Sequence, residues 1–230
     1  MKNIISFVLL LCTVPSFAQK DTVLEKLAIY GITEETLGTG LQDTDATHSF
    51  DIDITTNNGT KNIIEVGHFN PLKPIGERWI LVTVNDKSPS KKEIKKFDKT
   101  HNTKQLDING EVSDGSWKIA KDTDDEIVIS FKYDKESLPK KFEFLASCTG
   151  KAFINKKTKR LVKATFTNDS PLKVKIFNVS KLEMIIVYHY IKEENIYVMD
   201  TQHLDMQVKL LGQLVEVEEL NEYYNYKKVR

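Results

Sequence analysis

Met184-Ile185-Ile186-Val187-Tyr188-His189-Tyr190-Ile191 runs into Glu193-Glu194-Asn195, returns through Ile196 to Met199, and ends in Leu204-Asp205-Met206-Gln207-Val208-Lys209-Leu210. In the last run Leu204, Met206, Val208 and Leu210 alternate with His203, Asp205, Gln207 and Lys209. Successive side chains of a strand point to opposite faces, so this alternation specifies a strand with one face on a core. In the first run Met184, Ile186, Tyr188 and Tyr190 alternate with Ile185, Val187, His189 and Ile191. The polar triplet between the runs turns the chain, and the two runs read as long antiparallel partners.

The same period extends in both directions. Ile127, Ile129, Phe131 and Tyr133 share a face, and Phe142, Phe144, Ala146 and Cys148 are expected to do the same. Phe153 precedes a turn at Asn155-Lys156-Lys157-Thr158, and Val162, Ala164 and Phe166 follow it. After Pro171, Val174-Ile176 starts another strand. Beyond Gly212 come Leu214 to Glu218 and then a last, Tyr-rich strand, Glu222 to Val229. Upstream, His48 to Ile54 alternates, Asn57-Asn58-Gly59 supplies a positive-φ turn, and Ile63 to Phe69 returns. Trp79 to Val84 is apolar on both faces and reads as a central strand. The clearest helix starts near Pro89: Ser88 as N-cap with Pro89 at N1, or Ser90 and Glu93 as a capping box. Ile94, Phe97 and His101 give it one apolar stripe.

About ten strands joined by hairpin-length turns predict a mainly β (α+β) fold. A sheet of that size must curl, so the expectation is a large curved antiparallel meander or unclosed barrel. One or two helices would lie on its concave face. The expected organisation is a signal peptide over 1–18, an N-terminal arm or short helix over 19–47, and one antiparallel β domain over 48–230 with a helix near 89–101.

The first residues carry the export expectation. Lys2 precedes the apolar run Ile4 to Val14, Pro15 breaks it, and Ser16-Phe17-Ala18 offers small residues before a cut at Gln19. The run is shorter than the roughly 20 apolar residues of a membrane span. The mature chain is therefore expected to be periplasmic or secreted, with no transmembrane segment. Cys12 would leave with the signal, and Cys148 would remain as a buried structural thiol rather than a nucleophile.

Lys and Arg number 33 and Asp and Glu number 33, a balance that gives no reason to expect a nucleic-acid partner. No G-x-S-x-G and no glycine-rich phosphate loop is present. The five histidines show no metal-ligand spacing. Asp200, His203 and Asp205 read as a solvated strand face, and Asp122-Thr123-Asp124-Asp125-Glu126 as a charged hairpin turn. No cofactor, metal or catalytic residue is expected. The large apolar face is the candidate site, for which Phe131, Tyr133, Phe142, Phe144, Met184, Ile186 and Met206 are named as ligand-binding residues.

Three features together resemble the lipoprotein-carrier (LolA/LolB-like) and sigma-regulator (RseB-like) periplasmic proteins. They are the long meander, the hairpin Ala152-Phe153-Ile154-Asn155-Lys156-Lys157-Thr158-Lys159-Arg160-Leu161, and the late long strands ending in Tyr223-Tyr224-Asn225-Tyr226. Phe69-Asn70-Pro71…Gly76-Glu77-Arg78-Trp79-Ile80-Leu81-Val82 is also similar to a stretch of exported bacterial proteins, with Asn70 in place of its Asp. The resemblance spans about residues 48–229 and implies an unclosed barrel with helix packed inside; the long N-terminal helix of the carriers is not matched. The expected function is an exported, non-catalytic binding protein for a lipid, an acylated ligand or an envelope-protein segment. The alternatives are a secreted hydrolase of polysaccharide or ester bonds and a structural envelope component.

Overall fold

The computed structural model describes residues 18–33, 47–102, 110–140, 142–174, 177–210 and 213–229. The signal-peptide reading, Cys12, Ile176 and Gly212 lie outside the described residues. The quoted hairpin is present as expected. It forms β9 (Phe177–Ile191) and β10 (Ile196–Leu210), paired antiparallel from Ile191↔Ile196 onward. Asn195 turns the chain at φ 56, a region that asparagine tolerates. Around this pair lie β1 (His48–Asn57), β2 (Asn62–Phe69), β3 (Trp79–Val84), β4 (Lys118–Asp122), β5 (Glu126–Phe131), β6 (Cys148–Asn155), β7 (Arg160–Asn168), β8 (Leu172–Val174) and β11 (Gln213–Lys228).

These make one 11-stranded sheet in the order β3-β2-β1-β11-β10-β9-β7-β6-β5-β4, with β8 paired to β9 off this path. Neighbouring strands pair antiparallel; the order departs from the chain sequence where β1 docks on the last strand, β11, where β7 pairs with β9 rather than β8, and between β3 and β4, which do not pair. The sheet is not closed: β3 and β4 are its two edges. Directly opposed residues share a face. The row Ile119–Ile129–Ala152–Ala164–Ile186–Gln202–Asn221–Ile54–Glu65–Val84 therefore marks one face from edge to edge. We call it the inner face, because the apolar clusters of the core lie along it.

Two helices cover that face. α1 (Ala18–Ile29) packs Val23 and Leu27 on Ile127, Ile129, Ile154, Leu161 and Tyr197. It ends in a Schellman turn, with Gly31 at φ 67 donating to Ala28 and Ile32 donating to Leu27. The hydrophobic pair typical of that motif is present, since Leu27 and Ile32 sit in the same cluster. α2 (Lys91–His101) starts at the Ser90–Glu93 capping box, the second of the two start points the sequence offers. It packs Phe97 on Phe50, Ile52, Ile54, Phe69 and Trp79. A third cluster, Cys148, Leu172, Val179, Leu182 and Val208, fills the face beside β8. None of the helices among the described residues is long and apolar enough to cross a membrane.

Three expectations are corrected. Phe142 to Ser147 is not strand: residues Glu143–Ser147 form a 3₁₀-helix capped by Phe142, and β6 begins at Cys148. The segment carries two periods at once. A 3₁₀-helix has three residues per turn, so Phe142, Leu145 and Cys148 stack on one side, with Leu145 and Cys148 buried. Trp79–Val84 is an edge strand, not a central one. Trp79, Leu81 and Val84 face α2, while Ile80 and Val82 remain 49% and 47% exposed. Leu214–Glu218 and the run from Glu222 to Lys228 are parts of one 16-residue strand, β11, which ends before Val229. Leu220 and Asn221 are paired on both sides, to Thr55 and Ile54 and to His203 and Gln202, so the ladder runs through them.

Asp122, at the end of β4, ties α1 to the sheet. Lys26 Nζ lies 3.0 Å from one carboxylate oxygen and Tyr30 Oη donates to it at 2.9 Å, while Lys156 Nζ donates to the other. The hydrogen bond from Lys156, then that from Lys26, holds the Asp122 carboxyl down to about 2 from an ordinary 3.8. A depressed carboxyl stabilises the fold above its ordinary value, and that stabilisation fades as the pH falls toward 2. Acid titration should therefore loosen α1 below about pH 4, before the rest of the sheet, and Asp122→Asn should abolish this step. Amide exchange at Leu24–Ala28 reads it; equal acid sensitivity in the variant would count against the clamp.

Candidate functional site

The inner face holds a cavity of about 230 Å³ beside α1. Its floor follows from the residue sizes on three adjacent strands. β6 presents Gly150 and Ala152, and the strands on either side present Ile129 and Phe131 (β5) and Ala164 and Phe166 (β7). The small residues leave volume that the large ones line. A Cβ built on Gly150 would stand 2.6 Å from Phe131 Cε2, so the Phe131 ring takes the position a side chain would fill. Phe131, Tyr133 and Phe166 form an aromatic corner with ring centroids 5.9–6.0 Å apart. Such offset and edge-on pairs add to their burial. Val112, held opposite Tyr133 by an isolated bridge, and Trp117, Leu161 and Tyr188 complete the walls. None of the described residues that line it is charged.

Burial pushes the Tyr188 hydroxyl up to about 12, with a further contribution from the neighbouring Tyr133 hydroxyl, which burial also raises. Trp117 Nε1 is buried with no acceptor in reach among the described residues.

The structure divides the residues named from sequence. Phe131 and Tyr133 line the cavity. Met184 and Ile186 lie on the same inner face, opposite Phe166 and Ala164 of β7, and lead into Tyr188. Phe144 and Met206 pack instead against the third cluster, and Phe142 caps the 3₁₀ turn above it. Trp117, Tyr188, Ala152 and Ala164 were not named. The readable signal was Gly150-x-Ala152 set between strands rich in aromatic residues, but its meaning depends on the register.

The polar clusters take ordinary structural roles. His203 Nε2 meets Glu218 at 2.9 Å and Asp205 pairs with Lys181, both across strand ladders. His68 Nδ1 meets Asp51 at 2.7 Å, and buried His48 meets Glu194 at 3.1 Å. Among the described residues no group of three or more His, Cys, Asp or Glu is placed to hold a metal ion. Cys148 is buried and its thiol lies 3.7 Å from the Phe144 carbonyl, toward which it donates. Burial, and secondarily Asp169, push it up to about 11. Thiolate is the reactive form, so Cys148 should react with a disulfide reagent at pH 8 only as fast as the protein unfolds. Rapid labelling of the folded chain would show the thiol to be accessible.

Comparison with known proteins adds little. No family model matches the chain, and no curated protein matches it. Two solved structures are similar. A DUF1329 family protein from Desulfovibrio piger is 9% identical, with 94% of this chain and 93% of that one covered at a TM-score of 0.37. A chain of the Pseudomonas aeruginosa MucA/MucB complex is 7% identical, with 80% and 91% covered at a TM-score of 0.16. At such scores the likeness is loose, and the site is interpreted from its own geometry.

Proposed function

We propose that this chain is an exported, non-catalytic binding protein that holds a hydrophobic ligand on the inner face of its open sheet. The observation that supports it is the cavity itself: about 230 Å³ lined by Ile129, Phe131, Tyr133, Phe166 and Tyr188, with no charged residue among the described ones that line it. A cavity of about 150 Å³ already admits a benzene ring, and multi-ring ligands need roughly 300 Å³ or more. A single acyl tail or small apolar group fits between these limits. The n-, h- and c-like layout of residues 1–18 supports the export half of the reading.

Organic extraction of the protein purified from its own host, followed by mass spectrometry, tests the reading. The expected result is one amphiphile or acylated species per chain. Ala164→Phe, which places a ring inside the cavity, should lose that species while its melting temperature stays within a few degrees of the parent. Extracts of the unaltered protein with no amphiphile, or equal loading of the variant, would remove the ligand reading.

A further inference from the structure

Two hairpins of the sheet part company at one end. β7 pairs with β6 as far as Arg160↔Asn155, and β9 pairs with β10 as far as Ile191↔Ile196. The ladder between β7 and β9 stops short of both, at Lys163↔Val187. A bulge at Val162 on β7 and another at Asp200 on β10 flank the point of parting, and bulges bend the strands that carry them. Between the start of β7 and the end of β9 lies a notch of about 510 Å³. Leu161, Val162 and Tyr188 give it apolar walls. The Leu161 N–H, without a ladder partner on β9, donates to Tyr197 Oη at 3.1 Å, which fixes that wall. Arg160 and Lys192 bring two positive charges, and none of the described residues that line the notch is acidic. The Arg160 guanidinium lies over the Tyr190 ring, 3.6 Å from its centroid, so its plane is held while its N–H edge stays available. Neither Arg160 nor Lys192 forms an ion pair among the described residues. Glu194, in the adjoining turn, is engaged by His48 and Lys228 instead.

We propose that this notch is a second binding site, for a carboxylic acid with an apolar chain. The carboxylate takes parallel N–H bonds from the Arg160 fork, with Lys192 as a further counter-charge, and the chain lies on Leu161, Val162 and Tyr188. A guanidinium is planar and matches a carboxylate in this way, and a stacked one has less freedom to lose on binding. The apolar walls exclude water from one side of the pair, which strengthens it relative to a fully solvated surface pair. The site goes beyond the reading of the inner cavity and stands whether or not that cavity holds a ligand.

Octanoate, octanamide and acetate, titrated into the full chain at about pH 6.5 where a carboxylate is ionised, test it. Octanamide keeps the chain without the charge, and acetate keeps the charge without the chain. Octanoate should bind about tenfold tighter than octanamide, the effect of one charge-assisted pair, and tighter than acetate by at least as much. The second readout is the arginine Nε–H resonances, since the sequence has three arginines, Arg78, Arg160 and Arg230. Octanoate should move that of Arg160 and leave that of Arg78 in place. Arg160→Gln should bring octanoate down to the level of octanamide while the melting temperature stays within a few degrees of the parent. Lys61→Gln, in the turn between β1 and β2, should leave the affinity unchanged. Equal binding of octanoate and octanamide, an unmoved Arg160 resonance, or octanoate binding that survives Arg160→Gln would overturn the carboxylate site. Acetate binding as tightly as octanoate would overturn the apolar half of the proposal, and failure of octanoate to bind would overturn all of it. The inner cavity is tested separately, by the extraction experiment and by n-octane, so each reading can fail without the other.

Discussion

Replacing Phe97 with alanine should destabilise the protein by about 3–5 kcal/mol, the range for removing a phenyl ring from a closed core. Phe97 is 2% exposed and is the buried residue of α2. The rest of that helix is strongly polar, and Ile94 remains 39% exposed, so α2 has little else to hold it on the sheet. A short helix in water gains its stability from tertiary packing rather than from its own hydrogen bonds. The receiving slot is built for the ring: at Gly67 on β2 a Cβ would come within 3.0 Å of Phe97 Cζ and 3.1 Å of Ile52 Cγ2. Trp79 meets Phe97 with centroids 6.4 Å apart, and His101 stacks on both at 5.3 and 4.2 Å. Truncation therefore removes contacts on all sides at once, and the glycine below cannot relax upward to fill the gap. Denaturant unfolding reads the loss. A second readout is independent of the first: burial holds the His101 pKa below its ordinary 6.5, and release of α2 should let it rise. A loss under 1 kcal/mol with an unchanged His101 titration would mean that α2 is not anchored through Phe97.

What could be read from the chain, and what could not, follows from how each feature is encoded. β9 and β10 were legible because alternation with period two is a local property, and β10 keeps it for most of its length. The α2 start was legible because a capping box is written within four residues, Ser90 to Glu93. The 3₁₀ turn at Glu143–Ser147 was not, because Phe142, Phe144 and Cys148 satisfy a period of two while Phe142, Leu145 and Cys148 satisfy a period of three. The edge position of β3 was hidden for a different reason. Ile80 and Val82 give the strand an apolar outer face that water nonetheless reaches, and apolar residues at the surface are common. The cavity is the least legible feature. It is coded by missing volume at Gly150, Ala152 and Ala164, which become neighbours of Phe131 and Phe166 only once the registers β5–β6 and β6–β7 are known. Of the seven face residues named from sequence, Phe131 and Tyr133 reach it, because aromatic residues mark the walls while glycine and alanine mark the space.

Leu27→Ala should cost about 2–5 kcal/mol and should also weaken ligand binding, although Leu27 does not line the cavity. Leu27 is fully buried and packs with Val23 and Ile32 on Ile127, Ile129, Ile154, Leu161 and Tyr197. Its loss strikes α1 twice. The side chain is the main apolar anchor of the helix, and it is also the inner member of the Leu27–Ile32 pair that accompanies the Schellman turn at Gly31. The remaining ties, Lys26 and Tyr30 to Asp122, are partly exposed and contribute less than a closed core contact. The effect reaches the cavity through its walls. Ile129 and Leu161 belong both to the α1 cluster and to the cavity lining, and Trp117 packs partly buried against that cluster beneath Lys20 of α1. A loosened α1 leaves Ile129, Leu161 and Trp117 without the packing that holds these walls in place. The variant should therefore bind a small apolar probe such as n-octane more weakly than the parent chain does. Unchanged binding of n-octane would show that α1 does not hold the walls of the cavity.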